Sequence, residues 1–174
     1  MRLNPGHDKK EFMIKIIAKP LSADLFNDYG QVLDNTTSSP RLNNAAHLEN
    51  LRDGAKSNLL LALCQPATFP LSIAALERHP DSTQTFFPLD VQQYIIIVCP
   101  DLNKNTPDLQ KIEAFVASGK QGINYLPGVW HHPMTTLKTA GQFAALMWED
   151  GSKKDTEWYK IPKKSRPIVN IKTI

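Results

Sequence analysis

Cysteine is scarce in this chain, with only Cys64 and Cys99 present. Both sit inside apolar runs, so they read as buried free thiols, and nothing points to a disulfide scaffold. Long apolar runs are missing too. The longest, Tyr94 to Cys99, falls far short of the roughly 20 residues that span a bilayer. The opening stretch from Met1 to Phe12 is polar and charged, without the apolar core or cleavage site of a secretory leader. These shortfalls predict a cytoplasmic protein with no membrane partner. Charge of one sign is not in excess either. The 20 basic and 17 acidic residues leave a net charge of +3, too little for a nucleic-acid footprint. Basic residues gather only toward the end, from Lys153 to Lys172, where a solvated C-terminal tail over 160–174 is expected.

What is present suits one globular domain. The 174 residues are 41% hydrophobic and 21% charged, enough to bury a core. Phe12 to Ile17, within Glu11 to Leu21, reads as a first strand. Ser22 can cap a short helix through Asp28 that stops at Gly30, and Gln31 to Leu33 follows as a brief strand. From Asp34 to Ser57 no period holds, and a long loop is expected there. Strand-like runs come next at Asn58–Cys64, Leu71–His79, Gln84–Leu89 and Tyr94–Cys99, punctuated by prolines. Leu109, Ile112, Phe115 and Val116 recur at helical intervals after Thr106 and Pro107, so a second helix ending at Gly119 is expected. Gly122–Leu126, Val129–His132 and Gln142–Trp148 return to strand character. Short strands at such spacing point to a barrel or sandwich over residues 1–174, mostly β with two or more short helices.

Chemistry-bearing residues concentrate in two places. In Glu77-Arg78-His79-Pro80-Asp81-Ser82-Thr83-Gln84, strand alternation puts Glu77 and His79 on one face and Arg78 on the other. Gln84 opens the next strand and can rejoin them. An acid, an imidazole and an amide together can bind a cation, or bind and protonate a small polar substrate. The plain alternative is a surface hairpin with solvated charges. In Asn124 to Pro133 the Pro127-Gly128 turn delivers Trp130, His131 and His132 onto an extended segment. Consecutive histidines face opposite sides, so one of the pair can enter a given pocket, and Tyr125 and Trp130 favour a pocket wall.

Taken together, the two segments resemble the cupin barrel, whose His-x-His-x4-Glu strand pair and later Pro-x-Gly-x-x-His strand carry metal ligands. Glu77-x-His79-x4-Gln84 has the first spacing with other ligand types, and Pro127 to His131 is a loose version of the second. The resemblance sharpens at Leu76-Glu77-Arg78-His79-Pro80, Ser82 to Pro88 and Gly122 to Pro133. These match the Leu-Glu-Arg/Lys-His-Pro, Ser/Thr-Gln-x-Phe-x-Pro and Gly-x-Asn-Tyr-x-x-Gly-x-Trp-His-His-Pro signatures of the ureidoglycolate lyase family. Leu25 to Gly30, Pro107-Asp108-Leu109 and Ala114-Phe115 extend the likeness over most of the chain. Three places depart from it. Leu59 to Leu63 stands where the family carries a strand arginine, Leu126 where a histidine often follows the motif tyrosine, and Trp148-Glu149-Asp150 where the family has Asp-Arg.

The resemblance implies a cupin-like β-barrel homodimer that cleaves ureidoglycolate, a small-molecule substrate of allantoin degradation, to glyoxylate and urea. That cleavage needs a base and an acid, and His79, His131, His132 and Glu77 are the expected catalytic residues. Arg78, Gln84, Asn124, Tyr125 and Trp130 would bind substrate. A divalent metal, nickel by the family's habit, would take Glu77, His79, Gln84 and His131. His131 or His132 would remove the hydroxyl proton while Glu77 or His79 assists the leaving nitrogen. Two alternatives stay open at this point: a related enzyme on another ureido or hydroxy acid, and a non-catalytic small-molecule-binding domain.

Overall fold

The computed structural model describes residues 14–34, 39–103 and 105–172. Its spine is the most apolar segment of the chain, the Gln93–Cys99 strand, where every residue from Tyr94 to Cys99 is buried. Alternation divides that strand between two cores. Tyr94, Ile96 and Val98 join one hydrophobic cluster, while Ile95, Ile97 and Cys99 join another on the opposite face. Burying each such side chain is worth roughly 1.5–3 kcal/mol, so this strand anchors both layers.

The strand is central to a seven-stranded sheet. Its neighbours run Glu157–Lys160, Ala75–Arg78, Trp130–His131, Gln93–Cys99, Glu113–Ser118 and Lys19–Pro20, with Thr135–Thr136 also pairing the central strand. A five-stranded sheet faces it, ordered Gly30–Leu33, Gly122–Tyr125, Gln84–Pro88, Gly141–Glu149 and Lys56–Cys64. Phe86, Ile123, Tyr125, Phe143 and Ala145 point from this sheet into the shared core. The outer face of the larger sheet is covered by three short strands, Lys15–Ile17, Ile168–Asn170 and Leu71–Ser72. The fold is thus mostly β, built as two facing sheets, and among the described residues the strand pairing does not close them into one continuous barrel.

Several expectations change. Phe12 and Met13 lie outside the described residues, and the first strands are Lys15–Ile17 and Lys19–Pro20. The helix capped by Ser22 forms, but it is only Ala23–Phe26. The second expected helix does not form: after a 3-10 turn at Leu109–Lys111, residues Glu113–Ser118 are a strand. Full antiparallel pairing with Gln93–Cys99 overrides the helical spacing, burying Ala114, Phe115 and Ala117. Asp108 caps the turn, accepting from Gln110 N at 3.2 Å. The expected tail is likewise packed. Val169 is fully buried in a strand parallel to Lys15–Ile17, and Ile161 joins the same cluster. Cys64 and Cys99 are free and buried.

The register that positions the site depends on one glycine. Gly30 pairs with Tyr125, and a Cβ there would sit 1.8 Å from the Asn124 carbonyl oxygen. No larger residue fits, so glycine lets this edge strand lie flat against Gly122–Tyr125.

Candidate active site

Two cross-strand pairs face each other between the sheets. On the larger sheet Glu77 pairs with His131, which puts both side chains on the inner face. On the smaller sheet Gln84 pairs with Tyr125, again facing inward. His79, one residue beyond its strand, completes the group. Its ring centroid is 5.6 Å from that of His131, and His131 stacks on Tyr125 at 4.2 Å and 11°. Glu77 Oε1 lies 3.8 Å from His131 Nε2.

Both imidazoles are held by their Nδ1 atoms. His79 Nδ1 donates to the Asp155 carbonyl at 2.8 Å, and His131 Nδ1 donates to the Val129 carbonyl at 2.8 Å. That assignment leaves each Nε2 with a lone pair facing the interior, and neither has a hydrogen-bond partner. Gln84 donates to Met147 Sδ at 3.5 Å but leaves its Oε1 unpartnered, and the Tyr125 hydroxyl is unpartnered too. Buried polar atoms are ordinarily satisfied, because each orphan costs about 1–3 kcal/mol. Four in one cluster mark a place built to receive polar atoms from outside the chain.

Burial sets the proton balance of the cluster. It pushes the Glu77 carboxyl up to about 7. It holds the His79 and His132 imidazoles below their ordinary value, and burial plus the neighbouring His79 lowers His131 to about 3. Near neutrality the pair is therefore a carboxyl group able to hold its proton beside a neutral imidazole.

Four other expected residues are elsewhere, and alternation explains each. Arg78 points to the outer face, where it donates to Glu157 at 2.7 Å and Asn105 at 2.9 Å and pairs with Asp101 at 3.2 Å. Trp130 shares that face: its Nε1 donates to Asp101 at 2.7 Å, and Arg78 lies 4.4 Å over its ring. Asn124 points out of the smaller sheet and is bound to Thr85, Gln31 and the His47 carbonyl. His132 follows the inward-facing His131, and its Nδ1 donates to the Pro133 carbonyl at 2.9 Å. The proposed metal set of Glu77, His79, Gln84 and His131 also falls short. Among the described residues no group of three or more His, Cys, Asp or Glu side chains is placed to hold a metal ion. Glu77, His79, Gln84 and His131 lie together, but their donor atoms are not placed to close on one ion as nickel or zinc requires.

Sequence reasoning missed the supports. Arg52, in the long loop, pairs with Asp155 and lies 3.4 Å from Asp150. It thereby fixes the turn whose carbonyl holds His79. Only the acidic turn Asp150 to Asp155 hints at this, because a backbone carbonyl leaves no mark in a sequence. A cleft of about 800 Å³ is lined in part by Tyr29, Cys99, Glu113 and the Leu126–Val129 turn, which adjoins the cluster. That turn is tied to both histidines of the cluster. Gly128 N donates to the His79 carbonyl at 2.8 Å, and Val129 holds His131. Gly128 adopts φ +78 with open space around it, as a tight turn of this kind requires.

Known proteins are similar over most of the chain. The Ureidoglycolate lyase family pattern matches residues 13–166. The ureidoglycolate lyase of Pseudomonas savastanoi pv. phaseolicola is 32% identical over 143 residues, covering 77% of this chain and 83% of that protein. That of Burkholderia mallei is 36% identical over 139 residues, covering 74% and 79%. That of Escherichia coli is 33% identical over 141 residues, covering 76% and 87%. The solved WlaRB TDP-quinovose 3,4-ketoisomerase of Campylobacter jejuni aligns over 72% of this chain and 89% of its own, with 14% identity and a TM-score of 0.41. That likeness is too slight to add to what the two sheets themselves display.

Proposed function

The chain belongs to the ureidoglycolate lyase family, and from that premise we propose that it cleaves ureidoglycolate to glyoxylate and urea within the Glu77, His79, Gln84, Tyr125 and His131 cluster. The observation that carries this reading is the convergence of four unpartnered buried atoms beside a carboxyl group raised to about 7. Ureidoglycolate has a carbon bonded to a carboxylate, a hydroxyl and a ureido nitrogen. Releasing urea needs a base at the hydroxyl and an acid at the departing nitrogen.

His131 Nε2 offers the lone pair and Glu77 the proton. His131 takes the hydroxyl proton, the C=O bond of glyoxylate forms, the C–N bond breaks, and Glu77 protonates the leaving nitrogen. The imidazolium then returns its proton to the Glu77 carboxylate 3.8 Å away, and the pair is reset. Each transfer of this kind contributes roughly 10²–10⁴ in rate. The substrate's negative charge raises the basicity of both imidazoles as it enters. Tyr125 and Gln84 supply donors that orient its carboxylate and urea groups, and His79 contacts the same interior. A homodimer, a cytoplasmic location and a place in allantoin degradation complete the reading, each carried by the family likeness.

The test follows urea, ammonia and glyoxylate from ureidoglycolate, corrected for spontaneous decay. Urea released well above the background rate supports the lyase. Ammonia in its place makes the protein a hydrolase, and no acceleration at all leaves a binding domain.

A further inference from the structure

A row of three side chains crosses the larger sheet from the interior to solvent. Glu77 has two cross-strand partners, His131 on one side and Trp158 on the other. Directly opposed residues share a face, so all three stand on the inner face, with neighbours about 5 Å apart. Their flanking residues agree: Glu157 accepts from Arg78 and Tyr159 packs on Trp130, both on the outer face. Side-chain exposure climbs along the row from 2% at His131 to 16% at Glu77, and Trp158 is 56% exposed. The buried cluster therefore meets solvent on the Trp158 side. Glu157–Lys160 and Lys56–Cys64 are end strands of the two facing sheets. At the other end of the sheets Tyr29 bonds Glu113 across the gap at 3.0 Å, which leaves these two strands flanking the open side. On the smaller sheet Met147 meets Gln84 and faces inward, as do its cross-strand partner Asn58 and, two residues on, Glu149. Asn58 donates to Glu149 at 2.6 Å, forming the opposite rim.

We propose that this open side is the mouth of the site and that Trp158 is a substrate-contact residue, its indole stacking on the planar ureido group of ureidoglycolate. That placement rests on the preceding reading, in which Glu77 protonates the leaving nitrogen. The ureido group then lies on the Glu77 side of the reacting carbon, and the next side chain in the row is Trp158. An indole face suits a flat, conjugated, uncharged group, and an indole at a half-wet rim keeps its N–H in water. The Glu149 carboxylate on the opposite rim can accept from the terminal ureido N–H groups. A lone aromatic on a protein surface is ordinary. Trp158 differs because it continues the inner face that carries the reacting groups. Among the described residues no ring or cation covers its indole, whereas Trp130 on the outer face has both.

Steady-state kinetics and tryptophan fluorescence on the full chain test the proposal. Trp158→Ala should raise KM for ureidoglycolate about tenfold, with kcat within about twofold of the wild type. Trp158→Phe keeps a ring and should recover most of that loss. N-carbamoylglycine, a stable ureido acid without the hydroxyl, should shift the tryptophan emission of the wild type. The shift should persist in Trp148→Phe, whose side chain alternates to the outward face, and vanish in Trp158→Phe. Circular dichroism checks the fold of each variant, and the emission of Trp158→Phe carries the test should Trp158→Ala unfold. A folded Trp158→Ala with the wild-type KM, a Trp158→Phe no better than Trp158→Ala, or a shift that survives in Trp158→Phe would each overturn the proposal. If the wild type releases no urea, the lyase reading fails and the emission decides alone. A shift lost in Trp158→Phe then upholds Trp158 as the contact for a ureido acid, and no shift in the wild type removes it.

Discussion

One stretch of chain, Glu77 to His79, feeds two polar clusters on opposite faces of the same sheet. Outside, Arg78 is tied to Glu157, Asp101 and Asn105, and Trp130 donates to that same Asp101. Inside, Glu77, His79 and His131 meet Gln84 and Tyr125, and four of their polar atoms have no partner. Both clusters hold titratable groups, aromatic rings and buried hydrogen-bonding atoms. What separates them is satisfaction. A network whose members are paired within the chain contributes stability, whereas one left open costs stability and is retained for what it binds. The residue type alone would have ranked Arg78 as a substrate anchor, and its partners assign it to the architecture.

The widest break of that contrast is a pair of substitutions. His131→Ala should lower kcat/KM for ureidoglycolate by about 10²–10⁴ while its thermal melt stays close to the wild type. Arg78→Ala should do the reverse, costing about 1–2 kcal/mol through lost packing on Trp130 and the loss of two partly exposed ion pairs, with kcat/KM almost unchanged. Steady-state kinetics and melting curves on both variants read the two effects. A stable, inactive Arg78→Ala would erase the distinction between the faces.

Acidity gives the next effect. Burial raises the Glu77 carboxyl from 4.5 to about 7, so the folded protein keeps a proton that the unfolded chain releases at lower pH. The stability tied to that proton is fully present below about pH 4.5 and is lost as pH rises through about 7. The buried imidazoles run the other way. Their lowered values, His131 at about 3, make their contribution present above about 6.5 and lost as pH falls. Glu77→Gln should therefore melt higher than the wild type at pH 8, by about 1–3 kcal/mol, and match it near pH 4. Melts across pH would show whether the neutral arm flattens while the acid arm stays. A wild type whose stability does not fall between pH 5 and 8 would place Glu77 in a wetter setting.

The smallest effect sharpens the idea of a site that costs stability. Tyr125→Phe deletes one unpartnered hydroxyl and keeps the ring stacked on His131. It should gain about 1 kcal/mol and lose turnover. Denaturant titration and kinetics on this single variant check both signs, and a loss of stability would mean the hydroxyl has a structural partner.

Much of this was legible because alternation is local. The separation of Arg78 from Glu77 and His79, and of His131 from His132, follows from a two-residue period. The reunion of Gln84 with its upstream partners followed from the short turn between them. The strand at Glu113–Ser118 was not legible, since Leu109, Ile112, Phe115 and Val116 fit a helix until the neighbouring strand offers six paired positions. Nor was the order in the C-terminal segment: Ile168 to Asn170 is a strand only because Lys15 to Ile17 lies alongside. Arg52 left no trace, because it acts on His79 through a backbone carbonyl.

By itself, the sequence determined which side chains share a face and which motif residues are close along the chain, and with them the family. Only the tertiary structure decided which face is the interior. A strand's two faces are equivalent until another sheet covers one of them, and it is the five-stranded sheet, bringing Gln84 and Tyr125, that turned the Glu77 and His131 face into a buried polar cluster.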